Sequence, residues 1–229
     1  MLTLVLTRHG LTDRSIPEQH LGQRLDIGLS AAGRDQAAAL GRRLSGVRFE
    51  RIVASPLARA RETAAIVRAD LPTSPGPPEV ELDSRLLEMD YGAWEGLTYA
   101  EIDAREAAIR RRWEQDPAVN ACPGGESGDA VAARATDFLV DLIAWHDRSH
   151  GARSETERPV LAVAHSTLNR VMVCVATGIP VREFRRRFSQ DQANLSVLRF
   201  EHGVGPSDAR ILLLNDTAHL QAPSAQPWA

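Results

Sequence analysis

The chain has 229 residues, of which 43% are hydrophobic and 25% charged, as is usual for a globular protein with one sizeable core. Its formal net charge of −3 excludes an overall basic field that would attract nucleic acid or an anionic membrane. All 27 basic residues are arginine, which excludes mechanisms that need a lysine as nucleophile, base or phosphate ligand.

The sequence is predicted to alternate between strands and helices. Short apolar runs predict buried strands, and Ser30 is positioned to cap an amphipathic helix that presents Leu40 and Leu44 on one face. In chain order, the predicted elements are strand 2–7, helix 30–44, strand 51–54, helix 57–69, strand 80–82, helix 98–115, helix 127–146, strand 160–164, helix 167–177, and strands 195–200 and 210–214.

This order predicts an α/β fold: a three-layer α/β/α sandwich around a mostly parallel sheet, with residues 1–229 as a single domain. The last two strands are expected to pair at one edge. Residues 148–158 are predicted as a polar loop, and the tail 221–229 as loosely held. The helix after residue 127 is expected to contribute five core residues, namely Val131, Phe138, Leu139, Leu142 and Ile143.

The sequence offers no sign of membrane insertion or export. No run of about 18 apolar residues occurs, and the short apolar start from Met1 to Leu6 lacks the pattern of a signal peptide. We therefore expect a cytoplasmic protein. The two cysteines, Cys122 and Cys174, form no CxxC pair, which excludes a zinc ribbon but leaves one disulfide open.

Five polar residues are placed where the predicted strands end or shortly after. Arg8 and His9 follow the first strand, Arg59 follows the second by one turn, and His165 follows the central strand. Glu88 follows a short strand of its own. Because ligands of open α/β sheets bind outside the carboxyl ends of the strands, we expect these five side chains to converge.

This set of side chains suits phosphoryl transfer. Guanidinium groups offer forked donors to a phosphate dianion, and a neutral imidazole can attack phosphorus and carry the phosphoryl group. A carboxylic acid can protonate the leaving oxygen. Because arginine and histidine neutralise the phosphate charge, we expect the chemistry to need neither a metal nor a cofactor. His146 and His150 have a spacing that could hold a metal on a helix, but a solvated helix end is the favoured interpretation.

Six ordered sequence blocks resemble the histidine phosphatase superfamily, the group of phosphoglycerate mutase and acid phosphatase. The resemblance extends from residue 3 to about residue 200 and includes the triplet Arg8-His9-Gly10 followed by Thr12. The other blocks lie at residues 26–37, 55–64, 87–98, 123–127 and 163–166. The resemblance implies a helical cap over the site, at about residues 98–130.

The resemblance also implies roles for individual residues. His9 would be the phosphorylated nucleophile, and Glu88 would protonate the leaving group and then activate water. Arg8, Arg59 and His165 would bind the phosphate. Further substrate-binding candidates are Thr12, Ser15, Tyr91, and the backbone N–H groups of Gly22 and Ser166. Ser15 stands where the family often has a phosphate-binding asparagine, and Tyr91 has packing as its alternative role.

We therefore predict a metal-independent phosphomonoesterase that acts on a small phosphorylated metabolite through a phosphohistidine. The alternatives are a cofactor-dependent phosphoglycerate mutase and a catalytically silent phosphate-binding protein.

Arg110–Arg112 and Arg185–Arg187 are interpreted as solvated helix faces, although the first run lies in the cap and could contact an anionic substrate. The sequence leaves the substrate and the oligomeric state open, with a homodimer as the candidate assembly.

Overall fold

The structure, a computed structural model, describes residues 1–150 and 158–221. Strands and α-helices alternate along these residues, as β1 (Leu2–Arg8), α1 (Ala31–Leu44), β2 (Arg51–Ala54), α2 (Ala58–Ala69), β3 (Val80–Leu82), α3 (Tyr99–Gln115), α4 (Gly128–His150), β4 (Val160–Ala164), α5 (Ser166–Ala176), α6 (Phe184–Arg187), β5 (Leu195–Phe200) and β6 (Arg210–Asp216). Short 3₁₀ helices occur at Ser84–Leu86, Gly92–Trp94, Val181–Glu183 and Ala218–Leu220.

The strands form one sheet in the order β3-β2-β4-β1-β5-β6. The pairs β3–β2, β2–β4 and β4–β1 are parallel, while β5 and β6 join antiparallel at one edge. Arg8 lies opposite Ala164, and Ala54 lies opposite Val163. Because these three strands end at the same level, the residues that follow them meet at one edge of the sheet.

Helices cover both faces of the sheet, and the strands alternate their side chains between the two layers. In β4, Leu161 and Val163 pack in the hydrophobic cluster with α1 and α2, whereas Val160, Ala162 and Ala164 pack in the cluster with α4 and α5. All five residues are fully buried. This arrangement explains why β4 reads as an unbroken apolar run rather than as an alternating one.

The predicted fold class is confirmed. Ser30 caps α1 by accepting a hydrogen bond from the Gly33 N–H at 3.1 Å, and Leu40 and Leu44 are buried as expected. The five predicted core residues of α4 are also buried. β5 and β6 do pair, and β5 additionally pairs with β1 at the other side.

Some details differ from the prediction. Helix α4 continues to His150, so residues 148–150 are helical rather than part of a loop. Helix α3 contains a non-helical residue, Glu106, with φ −143°, whose carboxylate accepts a hydrogen bond from the Trp94 indole at 2.7 Å. The rest of the predicted loop, residues 151–157, and the tail 222–229 lie outside the described residues.

Two further expectations concern the cysteines and the membrane. Cys122 and Cys174 are both buried and free, so they do not form the disulfide that the sequence left open. Among residues 1–150 and 158–221, none of the helices combines the length and apolar character needed to cross a membrane.

Candidate active site

The site lies where β1, β2 and β4 end. The backbone N–H of His9 donates a hydrogen bond to the Ala164 carbonyl of β4, and that of Ser55 donates to the Val163 carbonyl. The donor–acceptor distance is 3.0 Å in both. The imidazole rings of His9 and His165 have their centroids 5.2 Å apart and their planes tilted by 59°. A cavity of about 580 Å³, counting its open mouth, is lined by Arg8, His9, Arg14, Ser15, Glu18, Gln19, His20, Leu21, Glu88, Tyr91, Tyr99, Ser166, Thr167, Arg170 and Arg185.

His9 is held in one tautomer. Its Nδ1–H donates a hydrogen bond to the Gly10 carbonyl at 2.7 Å, and a carbonyl only accepts. The other nitrogen, Nε2, therefore carries the lone pair. The turn is fixed by close packing, because a Cβ on Gly10 would lie 2.4 Å from the Gly33 carbonyl oxygen. The His9 ring therefore has one nitrogen that is free of a proton and able to act as a nucleophile.

Both site histidines are kept neutral by their surroundings. Burial, together with the positive charges of Arg59 and Arg8, holds the pKa of His9 well below its usual range. Burial, Arg59 and His9 lower the pKa of His165 in the same way. A neutral imidazole retains the lone pair that attack on phosphorus requires.

Ser55 positions His165. The Ser55 hydroxyl and the His165 Nε2 lie 2.8 Å apart, and both residues are fully buried. The opposite nitrogen, Nδ1, is buried without a hydrogen-bond partner among the described residues. His165 itself is not among the residues that line the cavity.

Arg8 and Arg59 place two guanidinium groups at the site. Arg8 donates from one terminal nitrogen to the Gln190 carbonyl at 2.8 Å. Arg59 is fully buried and donates to the carbonyls of Leu21, Gly22 and Leu25. In both arginines the Nε is buried without a hydrogen-bond partner among the described residues. Arg8 lines the cavity, so its guanidinium retains a donor for an anionic ligand, whereas Arg59 is not among the lining residues.

Glu88 is pinned against the start of α5. One carboxylate oxygen accepts from the N–H groups of Met89 (2.8 Å) and Leu168 (3.1 Å), and the other accepts from Thr167 at 3.1 Å. The positive end of the helix dipole favours a carboxylate at this position. Arg134 fixes the backbone by donating to the Glu88 carbonyl at 3.1 Å. Glu88 is 4% exposed and lines the cavity.

The predicted substrate-binding residues divide into two groups. Ser15, Tyr91 and Ser166 line the cavity, whereas Thr12 and Gly22 do not. Thr12 shares a hydrogen bond with the Ser15 hydroxyl at 3.1 Å, and the Gly22 carbonyl accepts from Arg59. These two residues therefore shape the loop after His9 rather than form the cavity wall.

Several cavity residues were missed at the level of the sequence. His20 is buried, its Nδ1–H donates to the Leu97 carbonyl at 3.2 Å, and its Nε2 has no hydrogen-bond partner among the described residues. Tyr99 reaches the cavity from α3, and Arg170 from α5. Arg170 had one recognisable signal: it is a lone arginine in an otherwise mostly apolar helix beginning directly after His165.

The interpretation of Arg185–Arg187 as a solvated face is wrong for Arg185. Its guanidinium lies 4.5 Å from the centre of the Trp113 ring and donates to the Tyr99 hydroxyl at 3.2 Å. Arg186 and Arg187 are exposed, as expected. In α3, Arg110 is ion-paired with Asp103 and Glu114 and does not line the cavity. Aromatic stacking therefore separates Arg185 from its two neighbours.

The two histidines at the end of α4 are a separate feature. Their rings stack with centroids 4.8 Å apart, and His150 lies 3.0 Å from a Glu50 carboxylate oxygen. Over residues 1–150 and 158–221, no cluster of three or more His, Cys, Asp and Glu side chains is arranged to hold a metal.

The fold and the paired histidines define a class of protein. The model of the histidine phosphatase superfamily (branch 1) matches residues 4–217, and the chain belongs to this family. The resemblance identified from the six sequence blocks is therefore confirmed.

Named relatives define the activity further. The chain is 39% identical over 180 residues to a glucosyl-3-phosphoglycerate phosphatase of Mycobacterium tuberculosis, a match covering 78% of this chain and 76% of the relative. It is 30% identical over 220 residues to phosphoserine phosphatase 1 of Hydrogenobacter thermophilus, covering 96% and 95% of the two chains. A mycobacterial glucosyl-3-phosphoglycerate phosphatase solved with VO3 superposes with a TM-score of 0.82 at 32% identity, covering 95% of this chain and all of that one.

These similarities confirm the predicted enzyme class. The chain is a phosphomonoester hydrolase of the histidine phosphatase type, which acts on a small phosphorylated metabolite through a phosphohistidine. The hydrolase is therefore favoured over the mutase and the silent binding protein that the sequence left as alternatives.

Proposed function

We propose that His9 is the residue that carries the phosphoryl group and that the reaction needs no metal. The observation that carries this proposal is the 2.7 Å hydrogen bond from the His9 Nδ1–H to the Gly10 carbonyl, which leaves Nε2 with its lone pair. In the first step, this nitrogen forms a bond to phosphorus while the bond from phosphorus to the ester oxygen breaks.

Arg8, Arg59 and His165 bind the phosphate in this scheme. The guanidinium groups neutralise the phosphate oxygens with donors whose charge is permanent. The free Nδ1 of His165 contacts the transferring group, with Ser55 holding the ring from the other side. This proposal is supported by the charge of Arg59, which adds to burial in lowering the pKa of both histidines.

Glu88 moves the proton. In its acid form it donates to the departing ester oxygen, so that the product leaves as an alcohol. The resulting carboxylate then takes a proton from water, the water oxygen bonds to phosphorus, and the bond from His9 to phosphorus breaks. Inorganic phosphate leaves, and both residues return to their starting states. Ser15, Tyr91 and Ser166 contact the substrate from the cavity wall.

We also propose that the chain forms one domain in which residues 98–130 cap this site. Tyr99 supports this proposal, because it begins α3 and reaches the cavity. Thr98 forms an isolated β-bridge with Gln19, which also lines the cavity. A homodimer and a cytoplasmic location remain proposals of this kind, with sedimentation and cell fractionation as their tests.

The test compares wild type with His9→Ala, using a panel of phosphomonoesters and phosphate release as the readout. We expect the variant to lose activity by a factor on the order of 10⁴ or more, as for removal of other enzymatic nucleophiles. His202→Ala is the control, because this half-exposed histidine pairs with Asp147 away from the cavity. Full activity in His9→Ala, or abolition of wild-type activity by chelators, would refute the proposal.

Trapping the intermediate gives an independent measurement. With radiolabelled phosphomonoester and a rapid alkaline quench, wild type should retain label on the protein, and His9→Ala should not. Label that persists in His9→Ala would place the phosphoryl group on another residue.

A further inference from the structure

The cavity carries more positive charge than one phosphate needs. Four arginines and two glutamates line it, so the basic side chains outnumber the acidic ones by two. The proposed chemistry uses Arg8, together with Arg59, which is not among the lining residues. Lining arginines left without a role in that chemistry are Arg14, Arg170 and Arg185.

The position of Arg170 leaves part of its guanidinium available to an anionic ligand. It stands on α5, five positions after His165, and the Nε of its guanidinium is buried without a hydrogen-bond partner among the described residues. Arg170 and Arg8 line the same cavity, and the charge of Arg170 adds to burial in lowering the pKa of Arg8. Two nearby cations repel each other, and an anion between or beside them offsets that repulsion.

Arg185 approaches from a different element and is held rigidly. Its guanidinium stacks over Trp113 at 4.5 Å and over Tyr99 at 5.7 Å, and it donates to the Tyr99 hydroxyl. Its nearest carboxylate, Glu114, is 4.0 Å away, at the outer limit of an ion pair. A guanidinium fixed by stacking loses little freedom when it binds an anion, and it still has donors to offer.

From this arrangement we propose that Arg170 and Arg185 form a second anion subsite, which selects phosphomonoesters carrying a further anionic group a few bonds from the phosphate. The group can be a carboxylate or a second phosphate, since both match the planar fork of arginine. This inference rests on the proposed function, because it takes the first phosphate to be bound beside His9. The two arginines are specificity residues and take no part in bond breaking.

The test uses three substrates that differ at one end. These are 3-phosphoglycerate, glycerol 3-phosphate, in which a hydroxymethyl group replaces the carboxylate, and glycerol bisphosphate, which carries a second phosphate there. For wild type we expect kcat/KM to be about 10-fold or more higher with an anionic end than with glycerol 3-phosphate. This is the size expected for a charged hydrogen bond.

Arg170→Gln and Arg185→Gln are the test variants, and Arg186→Gln is the matched control on the same helix, since its side chain is 79% exposed. Each test variant should lower kcat/KM for the anionic substrate about 10–100-fold, and change it for glycerol 3-phosphate less than about 3-fold. The substrate that responds identifies the anion. Thermal melting of each variant checks that it is folded.

The outcomes separate the two proposals. Equal losses with all three substrates, or a wild type indifferent to the charged end, would overturn the subsite while leaving the hydrolase intact. An absence of phosphate release from every substrate by the wild type would instead refute the proposed function. Losses in Arg186→Gln equal to those in Arg185→Gln would also overturn the subsite, because they would show a general effect of charge.

Discussion

Replacement of Glu88 by glutamine tests both the fold and the chemistry of the site. The carboxylate accepts three backbone hydrogen bonds, two from Thr167 and Leu168 at the start of α5 and one from Met89. Glutamine has nearly the same shape, but it has no charge and one of its oxygens becomes an NH₂ group. At least one backbone N–H would then face another donor.

The stability cost follows from these contacts. Hydrogen bonds to a charged group contribute about 1.5–3 kcal/mol, neutral ones contribute about half of that, and a carboxylate at a helix N-terminus adds about 0.3–1 kcal/mol. We expect Glu88→Gln to lower the free energy of unfolding by about 2–4 kcal/mol, measured by urea denaturation. For a chain of this size, the corresponding fall in Tm is about 5–15 °C.

The effect on activity should depend on the leaving group. An alkyl phosphate releases a strongly basic alkoxide and needs the proton from Glu88, whereas 4-nitrophenolate delocalises its charge and leaves without protonation. General acid catalysis contributes about 10²–10⁴-fold. Glu88→Gln should therefore lower kcat/KM, which reports on phosphoryl transfer to His9 and not on the later hydrolysis step, by that factor on an alkyl ester but much less on 4-nitrophenyl phosphate. The assay is the ratio of kcat/KM values for the two substrates.

A variant that is destabilised without losing the acid provides the control. Leu142→Ala removes a buried side chain from α4 and should cost about 2–5 kcal/mol of stability. Its two kcat/KM values should change by the same factor, whereas those of Glu88→Gln should diverge. Equal losses of kcat/KM on both substrates in Glu88→Gln would refute the assignment of Glu88 as the proton donor.

Two further predictions concern the histidines. Ser55→Ala should lower kcat/KM about 10-fold, because the ring of His165 loses a buried hydrogen bond. The ¹⁵N NMR spectrum of the His165 ring should also change. An unaltered spectrum would contradict a positioning role for Ser55. His9 and His165 have pKa values below the ordinary 6.5 in the folded protein, so protons bind preferentially to the unfolded chain as the pH falls below 6.5. The free energy of unfolding should therefore decrease with falling pH by up to about 1.4 kcal/mol per pH unit for each histidine. In urea denaturation at a series of pH values, the unfolding free energy of His9→Asn should depend less steeply on pH than that of wild type. Equal pH dependence in the two proteins would be inconsistent with a buried neutral His9.

The residues at the strand ends could be predicted because their positions depend on a strong local signal. The runs before His9 and His165 are apolar and short, as expected of strands buried on both faces. Parallel pairing then brings the two histidines together whatever lies between them in the chain. The register of β1 and β4 shows this, since Arg8 lies opposite Ala164.

The remainder of the cavity wall depends on contacts between elements and leaves little trace in local sequence. Arg185 belongs to a run of three arginines, and only its stacking on Trp113 of α3 distinguishes it from Arg186 and Arg187. The non-helical backbone at Glu106 is similar, because neither glycine nor proline marks it, and its carboxylate is engaged by Trp94 from outside the helix. Such features follow from tertiary packing, which periodicity does not encode.

The exclusive use of arginine has a consequence for how the site responds to pH. A lysine buried beside a phosphate could lose its proton, but a guanidinium stays charged even where burial lowers its pKa, as at Arg8 and Arg59. The positive field around the phosphate position is therefore constant over the physiological range. What changes with pH is the substrate and the groups that react with it. The pH profile of this enzyme consequently reports on His9, His165 and the substrate phosphate rather than on the two arginines.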